Sequence, residues 1–349
     1  MPAEAGFFPL DQQLGLGEGA WSEGVEREAV YLSGALSSFE LAAEILKRLG
    51  QIHISEPSVW RRSQEAGREF RRVEEAERIK AMAMPSYGES PGRVARRLGR
   101  MGASLDGAII YVRKEGWKET KIGVVFDIEV LASQDKETGE MMRLAHAVGN
   151  SYTAHLGGPE TAGEKLWAEA HRRQWEQARD TIVLGDGAAW IWNQAALHFG
   201  QSQQAVDWYH AKEHLLSAAR FMKPEGGSAY TRWLNSRETL LYQGHADKIA
   251  DELEKAASTT GSHGDDLLSE AGYFRSNHKR MNYIELRENE WPIGSGMVES
   301  GAKQFKARFC GPGMRWSRSG ADNLLPIRAA VLSGRFDQLW AAAKNLPPI

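Results

Sequence analysis

The stretch that decides the fold begins with LDGAIIYV at residues 105–112 and continues with KETKIGVVFDIE at residues 118–129. Both are apolar runs of strand length, and a short turn through Gly116 separates them. Further along the chain we expect three more strands and the helices between them, at residues 151–155, 164–178, 181–184, 188–198 and 204–208. The order β-β-β-α-β-α-β-α predicts an α/β fold with one mixed sheet flanked by helices.

The segment before these strands is predicted to be helical. Apolar residues recur at helical spacing over residues 39–49, and Gly50 is expected to end that helix in the left-handed conformation. Ser55 is expected to cap a second helix, with Val59 and Trp60 facing inward. The pair resembles a helix-turn-helix, and a plain helical hairpin fits the same pattern.

Four zones follow from the changes in pattern along the chain. A turn-rich stretch at residues 85–92 indicates a boundary, and residues 216–290 return to helix with no strand pattern. We expect an N-terminal helical segment with its linker at residues 1–90, the first part of the α/β core at residues 100–215, an all-helical insertion at residues 216–290, and a last core helix with a C-terminal helical segment at residues 291–349.

Composition excludes several classes of protein. Apolar residues make up 42% of the 349 residues, which is enough for a buried core. Cys310 is the single cysteine, so an intramolecular disulfide and any zinc site with two or more cysteines are excluded. The sequence carries no signal-like start and no apolar run of membrane-spanning length. We therefore expect a cytoplasmic protein without a membrane partner.

Charge is unevenly distributed along the chain. The whole chain has 43 Lys and Arg against 46 Asp and Glu, which alone argues against nucleic-acid binding. Residues 61–100 nevertheless hold eleven basic against six acidic residues, and residues 300–335 hold seven against one. Two such zones are typical of a phosphate-facing surface, and solvated helix faces remain an equal alternative from charge alone.

Carboxylates are predicted to meet at one edge of the sheet. Asp106 lies in the first strand and Asp186 follows the fourth, and the ends of such strands lie side by side in a parallel arrangement. Glu299, on a helix that Ser295 is expected to cap, provides a third carboxylate. Paired carboxylates repel, and proteins usually keep them for a proton or a hard cation such as Mg²⁺ or Mn²⁺. Simple turn chemistry at the two Asp-Gly pairs is the alternative, and the rival third acids are Glu285, Glu288 and Glu290.

One competing motif lies at residues 210–214, where HAKEH fits the H-x-x-E-H pattern of inverted zinc peptidases. This motif needs a third ligand downstream and leaves Asp106 and Asp186 unexplained. A packed helix with one inward and one outward histidine fits the same five residues. A zinc peptidase remains a minor alternative hypothesis.

Five blocks of the sequence are LDGAIIYVRKEGWKETKIGVVFDIE, VLGDGAAWIWN, AVDWYHAKEHL, WPIGSGMVESGAKQFKARF and MRWSRSGADNLLPIRA. Taken together and in this order, they resemble a bacterial insertion-sequence transposase of the ISKra-type group. The resemblance extends from about residue 7 to residue 340. It implies a DDE transposase with a ribonuclease-H-like catalytic domain, which cleaves DNA and transfers strands. Residues 1–90 would then bind DNA, and residues 100–215 and 291–349 would form the catalytic domain.

The resemblance also implies the site. The catalytic and metal-binding positions of the family fall on Asp106, Asp186 and Glu299, with two Mg²⁺ (or Mn²⁺) ions per site. Asp207 and His210 match a supporting pair. Transposon ends and target DNA are the expected partners, bound by a homodimer or larger assembly. Combined with the basic zones, this predicts DNA contacts from Arg61, Arg62, Lys303, Lys306, Arg308, Arg315, Trp316 and Arg318.

Three other functions stay open at this point. They are a metal-dependent nuclease without strand transfer, the zinc peptidase, and an inactive DNA-binding regulator. The group is further expected to carry a Cys-rich, zinc-ribbon-like segment ahead of FFPLDQQLGL, which starts at Phe7 here. No cysteine precedes Cys310, so we expect a shortened reading frame that lacks one end-recognition module.

Overall fold

A computed structural model of the chain describes residues 21–83, 99–134, 141–222, 226–259 and 263–347. The predicted linker at residues 85–92 lies outside the described residues.

A single mixed sheet of five strands organises the fold. The spatial order is β3-β2-β1-β4-β5; the first three strands are antiparallel, and β4 runs parallel to both β1 and β5. This confirms the α/β class and is compatible with a ribonuclease-H-like arrangement. The expected third strand at 151–155 is longer than predicted. The strands are β1 (Arg100–Val112), β2 (Gly116–Gln134), β3 (Met141–Leu156), β4 (Thr181–Gly185) and β5 (Gln203–Val206).

The helices fall into an N-terminal group, a group between strands, a middle group and a C-terminal group. The described part of residues 216–290 is helical and contains no strand. The helices are α1 (Glu23–Ala35), α2 (Phe39–Gly50), α3 (Glu56–Met82), α4 (Pro159–Arg172), α5 (Ala189–His198), α6 (Trp208–Met222), α7 (Ser228–Tyr242), α8 (Ala246–Ala257), α9 (Gly264–Asn277), α10 (Tyr283–Glu288), α11 (Gly296–Phe309), α12 (Arg318–Leu332) and α13 (Phe336–Lys344).

Helices cover both faces of the sheet. On one face, Leu166 of α4 packs where Gly123 of β2 leaves room. On the other face, Gly301 of α11 lies so close to the Tyr152 ring of β3 that an added Cβ would meet a ring carbon at 2.4 Å. Tyr152 pairs across the sheet through Val124 to Ser104. Because strand side chains alternate between faces, even-numbered residues of β1 face α11.

The N-terminal helices pack on the C-terminal ones, with α3 against α12 and α13. The helical hairpin is present, and Ser55 is the N-cap residue of α3. Two details differ from prediction. The left-handed residue that ends α2 is Gln51, with φ 54°, because the helix continues through Gly50. Trp60 is 42% exposed, since the inward face of α3 is formed by its neighbours such as Val59.

Two arginines near the C-terminus lie inside this helical layer. Arg308 donates from Nε to the Ser33 carbonyl, and Arg328 donates from Nη1 to the Gly34 and Ala35 carbonyls. These carbonyls end α1 and lack partners within the helix. The two guanidinium groups thus hold α1 against α11 and α12.

No helix among the described residues is both long enough and apolar enough to cross a bilayer.

Gly67 provides a test of the α3–α12 contact. A Cβ at this position would lie 2.0 Å from the Asn323 carbonyl oxygen, so we expect Gly67→Ala to push the helices apart. The free energy of unfolding, measured by chemical denaturation, should fall by about 1–3 kcal/mol. Gly272→Ala is the matched control, because nothing lies within 4 Å of its added Cβ in α9. That change should raise stability by about 0.5–1 kcal/mol, and an equal effect of both substitutions would contradict the packing.

Candidate active site

Asp106 lies in β1, and Asp186 directly follows the adjacent strand β4. The parallel register pairs Ser104 of β1 with Leu184 of β4, and each aspartate follows two residues later. Asp106 therefore points to the face that α11 covers, and Asp186 is near enough for its charge to act on Asp106. Burial raises the pKa of Asp106 above its ordinary value, and the nearby Asp186 charge raises it further. The predicted meeting of these two carboxylates is consistent with the register.

The two Asp-Gly pairs differ in local structure. Asp106–Gly107 lies within β1, and its Oδ1 accepts from the Gly107 N–H at 2.6 Å, so this pair is not a turn. Asp186–Gly187 does form a turn, with Gly187 at φ 105° and Asp186 Oδ1 accepting from the Ala188 N–H at 2.8 Å. The interpretation of the Asp-Gly pairs as simple turns is thus wrong for Asp106–Gly107 and correct for Asp186–Gly187. In both, one carboxylate oxygen makes a local bond.

Glu299 approaches from α11, which covers the sheet face to which Asp106 points. It lies in the first turn of α11, and Ser295 is the N-cap residue, although its side chain makes no capping bond. Ligand atoms of Glu299, Asp207 and His210 lie within 4.8 Å of one another. No similarly tight set that joins Glu299 to Asp106 and Asp186 occurs among the described residues. Glu299 therefore lies beside Asp207 and His210, and His210 is the group that links it to Asp106 and Asp186.

Asp207 is completely buried at the end of β5. One carboxylate oxygen accepts from the His210 N–H at 2.9 Å and lies 3.3 Å from His210 Nδ1. The other accepts from the backbone N–H of Ser295. Burial opposes the charged form, but these donors outweigh it and lower the pKa of Asp207 below its ordinary value. Asp207 therefore connects α6 to Ser295, the N-cap residue of α11.

His210 is a cation at neutral pH. Its hydrogen bond to Asp207 raises the pKa of His210 to about 9 against the cost of burial, and the charge of Asp186 contributes. The charges of His210 and Lys306 in turn offset part of the rise in the pKa of Asp106. The imidazolium is thus the shared neighbour of the three expected carboxylates, and it offsets part of their mutual repulsion.

The donor set at Asp106 and Asp186 fits a hard divalent cation. Each aspartate uses only one oxygen for a local N–H bond. Burial is the main cause of the raised pKa of Asp106, with the Asp186 charge as a further one, and a bound cation would offset both effects. Asp207 fits less well, because N–H donors engage both of its oxygens. Asp106 and Asp186 thus each keep one oxygen without a local bond, whereas Glu299 is grouped with Asp207 and His210.

The middle helices hold the turn after β4 in place, which the sequence did not indicate. In α9, the Tyr273 hydroxyl donates to the Asp186 carbonyl at 2.8 Å, and Asn277 Nδ2 donates to the Gly187 carbonyl at 3.2 Å. An added Cβ at Gly187 would lie 2.5 Å from the Tyr273 ring. Only a three-dimensional arrangement brings residues about 90 positions apart together in this way.

The two histidines of HAKEH have different environments. His210 bonds to Asp207, whereas His214 Nδ1 lies 2.7 Å from Glu270 Oε2 and its ring stacks on Tyr273 at 3.5 Å. No set of metal-ligand type within the described residues contains both. The geometry favours the packed-helix alternative over a zinc site. Of the rival acids, Glu285 and Glu288 are exposed and Glu290 pairs with Arg143.

The predicted DNA-contacting residues divide by exposure. Lys303 and Lys306 are exposed on α11, and Lys303 Nζ is 3.8 Å from Glu299. Arg315 is exposed beside the Tyr111 ring. The remaining exposed or half-exposed members bond to their neighbours: Arg61 to Ser58, Arg62 to Glu65, and Arg318 to Glu115 and Asp322.

The expectation that Arg308 and Trp316 contact DNA is wrong for this fold. Arg308 is 1% exposed and lies over the Phe39 ring at 4.5 Å. Trp316 is 8% exposed, and its Nε1 donates to the Phe309 carbonyl. Both side chains are enclosed where α2 meets the end of α11, so they stabilise the core instead of presenting a surface.

Comparison of the chain with protein-family models and with curated proteins gave no match.

The Asp207–His210 bond can be tested by titration. In Asp207→Asn the main cause of the raised pKa is removed, so the pKa of His210 should fall from about 9 toward its ordinary 6.5. Because the folded value lies above the ordinary one, the stabilisation is complete below pH 6.5 and is lost as the pH rises through about 9. NMR titration of the His210 ring measures the shift. Asp266→Asn, beside the exposed His263, is the control; an unchanged His210 pKa in Asp207→Asn would disprove the assignment.

Proposed function

We propose that this chain is a DDE transposase of the ISKra-type insertion-sequence group. In this proposal it cleaves DNA at transposon ends and joins the freed ends to target DNA. The observation that carries it is the register that sets Asp106 and Asp186 level at the same edge of a β3-β2-β1-β4-β5 sheet, under the helix that bears Glu299.

Asp106, Asp186 and Glu299 would hold two Mg²⁺ ions. Bound there, the ions would activate water or a freed 3′-hydroxyl and stabilise the leaving oxygen of the phosphodiester. The contribution of the surrounding residues is to position these carboxylates. Asp207 fixes the start of α11 and thereby the height of Glu299, and α9 fixes the turn that carries Asp186.

DNA would enter along the exposed face of α11. Lys303 and Lys306 follow Glu299 by four and seven residues, so all three lie on one side of the helix. Phosphates held by these lysines would lie beside the carboxylates. The α2–α3 hairpin would hold DNA further out through Arg61 and Arg62. Joining two ends calls for a dimer or larger assembly on DNA.

A nuclease without strand transfer is the second candidate, since the same carboxylates would serve it. The two are separated by incubating the protein and Mg²⁺ with a labelled duplex made from the DNA that flanks its reading frame. Strand transfer gives products longer than the donor strand, whereas hydrolysis alone gives only shorter ones. An intact duplex under all conditions would leave a DNA-binding regulator and would end the transposase proposal.

Neutralising the carboxylates should abolish cleavage without abolishing DNA binding. Asp106→Asn, Asp186→Asn and Glu299→Gln each remove an oxygen ligand, whereas the basic surfaces stay intact. Cleavage is measured with Mg²⁺, and binding is measured in EDTA. Glu288→Gln, at an exposed rival acid, is the control and should cleave normally. Wild-type cleavage by any of the three variants would remove that residue from the assignment.

The lysines on α11 should determine part of the salt dependence of DNA binding. Replacing Lys303 and Lys306 together by Gln should flatten the slope of log K against log salt by about two units, one for each lost phosphate contact. The control replaces Lys248 and Lys255, exposed on α8 among acidic residues. It should leave the slope unchanged. If both pairs behave alike, α11 faces solvent and not DNA.

A further inference from the structure

The turn between β1 and β2 carries an exposed aromatic pair. Trp117 is 68% exposed although it lies in a strand, and its ring meets the half-buried Tyr111 ring edge to face at 5.4 Å and 84°. The register pairs the two residues directly across the strands. The exposed indole and the neighbouring Tyr111 ring together form an aromatic surface that is open to a ligand.

Unpaired positive charge surrounds these rings. The guanidinium of Arg315 lies 5.5 Å from the centre of the Tyr111 ring, and Arg113 and Lys114 are exposed in the turn itself. The two acids nearby are already engaged, Glu115 with Arg318 and Glu119 with Lys121. No ion pair with a described carboxylate occurs for Arg113, Lys114 or Arg315. The tip therefore combines flat aromatic surface with free cations.

The tip is rigid before any partner arrives. The Arg113 N–H donates to the Trp316 carbonyl at 2.7 Å, and the Trp316 N–H donates to the Tyr111 carbonyl at 3.1 Å. Arg113 Nε also donates to the Arg315 carbonyl at 2.9 Å. These bonds join the β1–β2 turn to the loop before α12. Little conformational entropy would be lost on binding.

We propose that this aromatic-basic tip, formed by Tyr111, Arg113, Lys114, Trp117 and Arg315, stacks the unpaired bases of single-stranded DNA. Stacking on aromatic rings with cations beside the backbone is the usual means of holding single strands. A duplex keeps its bases stacked inside and would offer this convex tip only phosphates. A mainly apolar protein partner would leave three cations without counter-charge.

The inference rests on the proposed function, because a strand cleaved at the carboxylates is what would supply unpaired bases. Tyr111 lies five residues beyond Asp106 on β1, a distance of about 17 Å, or about five nucleotides of stacked DNA. Because five is an odd number, the Tyr111 ring points to the sheet face opposite the Asp106 carboxylate. A single strand that leaves the carboxylates would therefore reach the tip by passing around the end of β1, a path longer than this direct distance.

The test compares binding of single-stranded and duplex DNA by fluorescence anisotropy, with the full chain in EDTA so that no cleavage occurs. The probes are a labelled thymidine oligonucleotide and a labelled duplex of mixed sequence. Trp117→Ala should weaken binding of the single strand about five- to a hundred-fold, as expected for one lost stacking contact, and change duplex binding less than two-fold. Trp117→Phe should restore most of the loss.

Leu197→Ala is the matched control, because Leu197 is an equally exposed apolar side chain, 71% exposed, at the far end of α5. It should change neither binding constant, and thermal unfolding should show that all variants are folded. Equal losses on both probes, or no loss on either, would overturn the stacking role, as would a change in self-association with unchanged DNA binding. Because this experiment measures DNA binding and not cleavage, a negative result would contradict the stacking role and leave the proposed cleavage reaction to its own test.

Discussion

The site depends on a single buried carboxylate. Asp207 has no exposed surface, yet it stays charged because N–H groups of His210 and Ser295 satisfy its oxygens. A buried charge that loses such partners costs several kcal/mol, so the positions of α6 and α11 relative to β5 are tightly coupled. Any change that moves Ser295 also moves Glu299, one turn later on α11. The buried hydrogen bonds thus set the geometry of a partly exposed site.

A second constraint acts on the turn after β4. A turn with Gly187 at positive φ is flexible in isolation, since glycine populates many conformations. Here the hydroxyl of Tyr273 and the amide of Asn277 bond to consecutive carbonyls of that turn, and Asn277 also accepts from Trp192 Nε1 at 2.8 Å. The middle helices therefore support the turn after β4 directly. Asp186 is fixed by β4, which precedes it, and by α9, which bonds to its carbonyl.

The sequence was sufficient for the succession of strands and helices along the chain, because local periodicity encodes it. It was also sufficient for the closeness of Asp106 and Asp186, because neighbouring parallel strands bring their ends together. It was insufficient for Arg308 and Trp316. A basic or aromatic residue in a charged segment looks the same whether it faces DNA or the carbonyls of a distant helix. Burial of Arg308 depends on Ser33, about 275 positions away, and no local pattern encodes that contact.

The proposed function makes two opposing electrostatic demands on α11. A cation site would need carboxylates, and the charge of these carboxylates would repel the phosphates of DNA. On α11 the acid and the bases lie on the same side, with Glu299 followed by Lys303 and Lys306, so that their separation is fixed by helix geometry alone. Because these are charges on long side chains at the surface, their attraction for phosphate is weakened by salt. Salt does not weaken the hydrogen bond between Asp207 and Ser295 in this way, since that contact is buried. The core therefore sets the positions of these charges, and the solvent affects only how strongly they attract phosphate.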